Sequence, residues 1–340
     1  MMKWCVCFLA LVFCNRAISQ GNPVNYSVVD WQVQNIAAPT TDSLAKKISS
    51  LFTTDKEKVR AIFTWVATNI SYNTGIFTKR FSATSRFIDD YSDTASVWKS
   101  ADEMVADRVF KRRVAVCDGY ARLFKTLCTY AGIKSEIIYG YVNGDGGRMG
   151  ERFRTNHTWN AVFVDSAWHL IDVTWASGYV NYGLQFVHHF QDYYFFTSPK
   201  QLIKDHYPED PRWTLLDNSP EFQDFKRGPF KSKAFVKYGI ENFSPSNGII
   251  AGFVGDTVNI ELQLYDVKRA KTIAPSTLYD SLPSLPSFPA LEPVLEKGNK
   301  VVYTYVIESP QKSLIQLVYN KDIIMQYRLQ VKEKIEVALN

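Results

Sequence analysis

Apolar positions in the first two hundred residues recur mainly at helical spacing, whereas beyond about residue 213 they recur mainly at every second position. Residues 43–53 (SLAKKISSLFT) predict a short amphipathic helix that follows a polar opening stretch. Thr54-Asp55-Lys56-Glu57 is a capping box for a second helix, whose apolar stripe is Val59, Ile62, Phe63, Val66 and Ile70. Ser100-Ala101-Asp102-Glu103 is another such box and opens a helix through about Phe110. Tyr120, Phe124, Leu127 and Cys128 again keep helical spacing and Gly132 supplies a stop, so Cys117 falls in the first turn of a buried helix. Residues 73–98 carry no usable period and read as a surface excursion able to line a cleft.

Strand patterns alternate with these helices. Ser135 to Val142 reads as a strand, followed by a flexible turn at Asn143-Gly144-Asp145-Gly146-Gly147. Residues 157–164 (HTWNAVFV) and 168–173 (WHLIDV) read as a hairpin around Asp165-Ser166-Ala167. An even loop pairs Val164 with Ala167, and Asp172 then opposes Trp159 on the sheet face that carries His157, one diagonal step away. A three-residue loop would send His157 and Asp172 to opposite faces. Further on, segments 232–240, 248–254, 257–266, 301–308, 313–319 and 322–331 alternate apolar and polar residues, as in an immunoglobulin-like β-sandwich. The proline-rich interval 281–293 reads as an exposed loop. The expectation is an α+β core over residues 20–205 and a β-sandwich over 215–340.

Composition places the chain in a compartment. The start, Met1-Met2-Lys3 and then an apolar run from Trp4 to Phe13, has the shape of a signal peptide and is too short to span a bilayer. Ala17-Ile18-Ser19 suits cleavage after Ser19, which makes residues 1–19 a signal peptide and the protein exported, periplasmic or secreted. Leu11-Val12-Phe13-Cys14 fits a lipoprotein motif poorly, because a bulky Phe precedes the cysteine. Cleavage removes Lys3 and Arg16 and no acid, so the net charge falls from +5 to +3, too mild to point to nucleic acid. It also removes Cys5, Cys7 and Cys14. Cys117 and Cys128 remain, separated on one helix by roughly 16 Å of rise, beyond the reach of a disulfide. Cys128 reads as plain core. A free thiol in an exported protein needs a reason, and a nucleophile is one.

Cys117 at a helix start meets free amide donors and the positive end of the dipole, which favour thiolate. Facing a His157–Asp172 pair on adjacent strands, it could attack a carbonyl while His157 moves the proton and Asp172 orients the imidazole. Lys111-Arg112-Arg113, just upstream, either raises the potential at the cysteine or forms a solvated face. A calcium reading of Asp145 fails for want of ligands, and a zinc reading of His188-His189 fails because adjacent positions project apart. No metal or cofactor is expected.

The order V-C-D-G-Y-A, H-T-W-N, I-D-V-T-W resembles the transglutaminase-like (transglutaminase/protease) superfamily over roughly residues 40–200, in particular the bacterial branch related to kyphoscoliosis-type peptidases and cytokinesis proteins. The resemblance implies a papain-like cysteine-enzyme core with Cys117, His157 and Asp172 catalytic, and it places Tyr72 either near the cleft as an oxyanion ligand or on a core edge. It implies acyl transfer from an amide through a thioester, acting on a peptide, protein or cell-wall peptide. Water as acceptor gives a peptidase or amidase; an amine gives a cross-linking transamidase. A non-catalytic scaffold of the same fold is the reading from a different class.

Overall fold

A computed structural model describes residues 24–75, 99–142, 155–180, 184–273, 289–309, 311 and 313–332. The expected signal peptide, residues 76–98 of the excursion, the Asp145 turn and residues 281–288 lie outside the described residues.

Helices α1 (Tyr26–Val33), α2 (Thr41–Leu51), α3 (Asp55–Asn69), α4 (Ala101–Arg112) and α5 (Cys117–Tyr130) supply one side of the first core. Both expected capping boxes form: Thr54 N–H donates to Glu57 Oε2 at 3.0 Å, and Ser100 N–H to Glu103 Oε2 at 2.7 Å. Two differences at the beginning have local causes. Helix α2 starts two residues earlier than the pattern suggested, because Thr40 and Ser43 make a capping box of their own. The polar opening stretch contains α1, which buries Val29 and Val33 and is held by Arg60, whose guanidinium donates to both Asp30 oxygens at 2.7 and 2.6 Å. Helix α5 ends at a left-handed Gly132, φ +78°, as expected.

The parallel pair β1 (Ser71–Tyr72) and β2 (Val114–Ala115) ties the end of α3 to the segment entering α5. The main sheet contains β3 (Ser135–Val142), β4 (His157–Val164), β5 (Ala167–Ile171), β8 (Phe195–Thr197) and β9 (His206–Pro208), with β6 (Gly178–Val180) and β7 (Phe186–His188) forming a separate ribbon. Its order is β8-β5-β4-β3-β9, antiparallel throughout. The β4–β5 turn has two residues, Asp165 and Ser166, at φ 50° and 62°, and the register pairs Val164 with Ala167 and Asn160 with Ile171. The loop is therefore even. The sheet continues past residue 205 through β9, and Trp213 and Leu215 also pack on the first cluster.

The C-terminal region is sheet-rich and has its own core. One sheet runs β10 (Phe230–Lys231), β18 (Asp322–Lys332), β17 (Leu314–Tyr319), β14 (Ala290–Leu291), with β12 (Ile249–Phe253) also on β18. The other runs β11 (Ile240–Ser244), β13 (Thr257–Leu264), β16 (Lys300–Val306), β15 (Leu295–Lys297). Ile260, Leu262 and Tyr303 from one sheet and Ile315, Leu317 and Tyr327 from the other share one buried cluster, as a β-sandwich requires. The expected strand 232–240 is instead a short helix, Lys233–Lys237, with Ser232 as its cap; Ala234, Phe235 and Tyr238 are buried together, which is helical spacing, and the strand starts only at Ile240. The interval read as exposed loop ends in a strand, β14.

Candidate active site

Cys117 is the first residue of α5, and Val116, its N-cap, contributes no side-chain bond, so the amides of the first turn stay available near the thiol. The next residues fix the helix in place. Asp118 is held by Arg122 Nε at 2.8 Å. A Cβ on Gly119 would stand 2.8 Å from Ala115 Cβ and 2.9 Å from Val109 Cγ2, so this close approach of α5 to α4 accepts no larger residue unaltered. Tyr120, fully buried, donates to the carbonyl of Ile70 at 2.6 Å. Asn160 on β4 donates to the carbonyl of Ala121 at 3.1 Å, which docks the cysteine helix onto the histidine strand.

His157 opens β4, and its Nε2 lies 2.7 Å from Asp172 Oδ2. Trp159 and Trp175 flank its ring, with centroids 6.0 and 5.6 Å away. With Nε2 engaged by Asp172, Nδ1 is the nitrogen left to exchange a proton with the thiol of Cys117, whose pKa the ring's influence lowers. Asp172 follows β5 and caps the short helix Val173–Ser177: its Oδ1 accepts from Trp175 N–H at 2.9 Å. It is wholly buried.

The charges follow from this geometry. Burial pushes the Cys117 thiol up, but the hydrogen bond and charge of His157, with a backbone amide at Asp118, outweigh it and leave the thiol below its ordinary value. Burial pulls His157 down, and Asp172 and Cys117 more than reverse this, raising it to about 10. Asp172 is pushed up by burial and held well below the carboxylate range by His157 and His206. Together these favour a thiolate–imidazolium pair beside an ionised aspartate. Cys128, fully buried on the same helix, has its thiol pushed far up by burial alone. Tyr72 is half-buried; burial, then the charges of Cys117 and Asp172, raise its phenol, so it stays protonated.

His206 was not legible in the sequence. It lies 34 residues beyond Asp172, on β9, and its Nε2 is 2.9 Å from Asp172 Oδ2 while its Nδ1 is 2.7 Å from Asp205 Oδ1. Only the pairing of Val142 with His206 brings it there. Among the described residues, the donor atoms of His157, Asp172 and His206 form the one group close enough to hold a metal ion, all within 4.8 Å, and hydrogen bonds among themselves already engage them. His188 instead meets Ser71 Oγ at 3.1 Å, and His189 packs edge-on to Tyr179. In the basic run, Lys111 and Arg112 face solvent while Arg113 lies over Trp65 and Phe110, 4.4 Å from each ring.

Several known proteins are similar to this chain. The chain is 30% identical to human kyphoscoliosis peptidase over 224 residues, which is 65% of this chain and 31% of that protein. It is 28% identical to Hillarin of Drosophila melanogaster over 255 residues, 69% of this chain and 28% of that one. The chain thus spans about a third of the length of these relatives. The periplasmic domain of TgpA from Pseudomonas aeruginosa shares 17% identity over 44% of this chain and 48% of its own, at a TM-score of 0.28, too slight a likeness to bear on function. A family profile matches residues 42–173, the stretch that carries Cys117, His157 and Asp172, and by this match the chain contains a domain of the transglutaminase-like superfamily.

Proposed function

We propose that the protein is an exported cysteine-dependent acyl-transfer enzyme acting on amide bonds, with Cys117 as nucleophile, His157 as acid–base and Asp172 as orienting carboxylate. One observation carries this reading: a thiol in the first turn of a helix has its pKa lowered by a buried histidine, and the Nε2 of that histidine lies 2.7 Å from a buried aspartate. In the reaction the Cys117 thiolate attacks the amide carbonyl carbon, and the tetrahedral oxyanion collapses to a thioester as His157 gives its proton to the leaving amine. His157 then takes a proton from water, the hydroxide attacks the thioester, and the acid leaves as Cys117 is restored. Tyr72, whose phenol feels the charge of Cys117 and stays protonated, is the candidate donor to the oxyanion. Water is the default acceptor, because an amine must be positioned and water excluded to compete. The substrate is a peptide, protein or cell-wall peptide.

The test is limiting iodoacetamide near neutral pH with mass mapping, followed by incubation with peptide pools with and without a primary amine. Labelling of Cys117 ahead of Cys128, with peptide released as free acid, is the expected result. Amine-tagged product would make the enzyme a transamidase. Equal slow labelling of both cysteines would remove the nucleophile, and binding by wild type and Cys117→Ala alike without turnover would make the protein a scaffold.

A further inference from the structure

Beside the proposed triad lies a buried pair that the reaction above does not use. The His206 and Asp205 side chains are 0% and 3% exposed, and both ring nitrogens of His206 face carboxylate oxygens, Asp172 Oδ2 at 2.9 Å and Asp205 Oδ1 at 2.7 Å. A neutral imidazole donates from one nitrogen only; two carboxylate acceptors call for both protons. Resting on the triad reading, we propose that His206, held as an imidazolium between Asp172 and Asp205, is a positioning residue that fixes the Asp172 carboxylate and offsets part of its charge. Asp172 then orients His157 without binding its proton too tightly for transfer.

The charge balance supports this. A thiolate, an imidazolium and a carboxylate sum to −1, and an uncompensated buried charge is costly. His206 brings the cluster to neutrality. Asp205 in turn acts on a cation from the second core's sheet: the Lys231 ammonium, on β10, donates to the carbonyl of Lys204, the residue before Asp205, and feels the charge of Asp205. Burial, then the Lys204 charge, pull Lys231 down, while Asp205 pulls it up, to a net value of about 8. The sequence of groups is therefore Cys117, His157, Asp172, His206, Asp205, Lys231, with signs alternating. Directions elsewhere agree: burial pulls His206 down, and Asp205 and Asp172 more than restore it. The other groups against this cluster are Tyr193, Tyr194 and Lys204, with Trp159 and Trp175 walling the His206 ring at 5.2 and 4.6 Å between centroids.

The test measures the rate of Cys117 alkylation by iodoacetamide between pH 4 and 10 in the full mature chain, for wild type, His206→Gln and Asp205→Asn, alongside thermal melts. Loss of the His206 charge leaves Asp172 uncompensated, which disfavours the thiolate and tightens the His157 proton, so the profile moves to higher pH. In His206→Gln the acid limb should rise by roughly half to one pH unit, a three- to tenfold slower reaction on that limb. Asp205→Asn keeps the ring in place but removes the carboxylate that holds its second proton, and should shift the limb the same way by less. Should His206→Gln fail to fold, Asp205→Asn decides alone. Profiles superimposable on wild type, with only the melting temperature changed, would reduce the pair to packing and overturn the proposal. So would a shift of the wild-type profile on adding EDTA, which would make the cluster an ion site. Failure of the triad itself looks different: wild-type Cys117 would then show no preference over Cys128 at any pH.

Discussion

Asp172→Asn tests the centre of the reading. The wild-type carboxylate accepts three hydrogen bonds, from His157 and His206 on Oδ2 at 2.7 and 2.9 Å and from Trp175 N–H on Oδ1 at 2.9 Å. An amide has one oxygen and one NH2. If its oxygen serves the two histidines, its NH2 meets the Trp175 N–H, donor against donor. If it turns over, the NH2 faces both imidazoles and forces His157 into the tautomer with its proton on Nδ1, where it cannot accept the thiol proton. Either orientation also removes the counter-charge for two buried histidines. A broken buried ion pair costs about 3–5 kcal/mol, and the tautomer error costs on the order of 10⁴ in turnover in a comparable triad. The assays are a urea titration at pH 7 and the Cys117 alkylation profile, neither of which needs the substrate. The variant should lose several kcal/mol and its Cys117 should react like an ordinary thiol, with little thiolate below pH 8. An Asp172→Asn protein with wild-type stability and a wild-type profile would refute the hydrogen-bond account on which the triad rests.

Three further outcomes are expected. Stability should vary with pH on two sides: His157 is raised to about 10 from 6.5, so its contribution is complete below about pH 6.5 and is lost as pH rises towards 10, whereas Asp172 is depressed from 3.8, so its contribution is complete above that value and is lost as pH falls further. Urea midpoints across pH 2 to 10 should therefore peak between about pH 4 and 6.5. Gly119→Ala should overpack α5 against α4 by roughly 1–3 kcal/mol, less about 1 kcal/mol returned by helix propensity, seen as a lower urea midpoint with slower Cys117 labelling; an unchanged midpoint would show that the two helices separate freely. A fragment of residues 24–217 should fold by circular dichroism and keep selective labelling, while residues 24–205 should not, because the shorter piece lacks β9 and His206.

The sequence by itself determined what is held by near neighbours. Capping boxes at Thr54 and Ser100 close over three residues, the stop at Gly132 needs only a left-handed backbone, and Cys117 follows from the apolar spacing of its own helix. The His157–Asp172 pairing was legible for the same reason, since a two-residue turn transmits strand parity across fifteen residues without help from elsewhere. Tertiary structure alone decided the rest. The alternation over 232–240 read as a strand, but burial of Ala234, Phe235 and Tyr238 together against the second core makes it a helix. The core's extent past residue 205 depends on β9 finding the edge of β3, a pairing some sixty-five residues apart in the chain with no local signature. His206 enters the site through that same pairing. A lone buried histidine carries no period and no cap; its role is set by the two carboxylates that meet it, and those are brought together only when the sheet is complete.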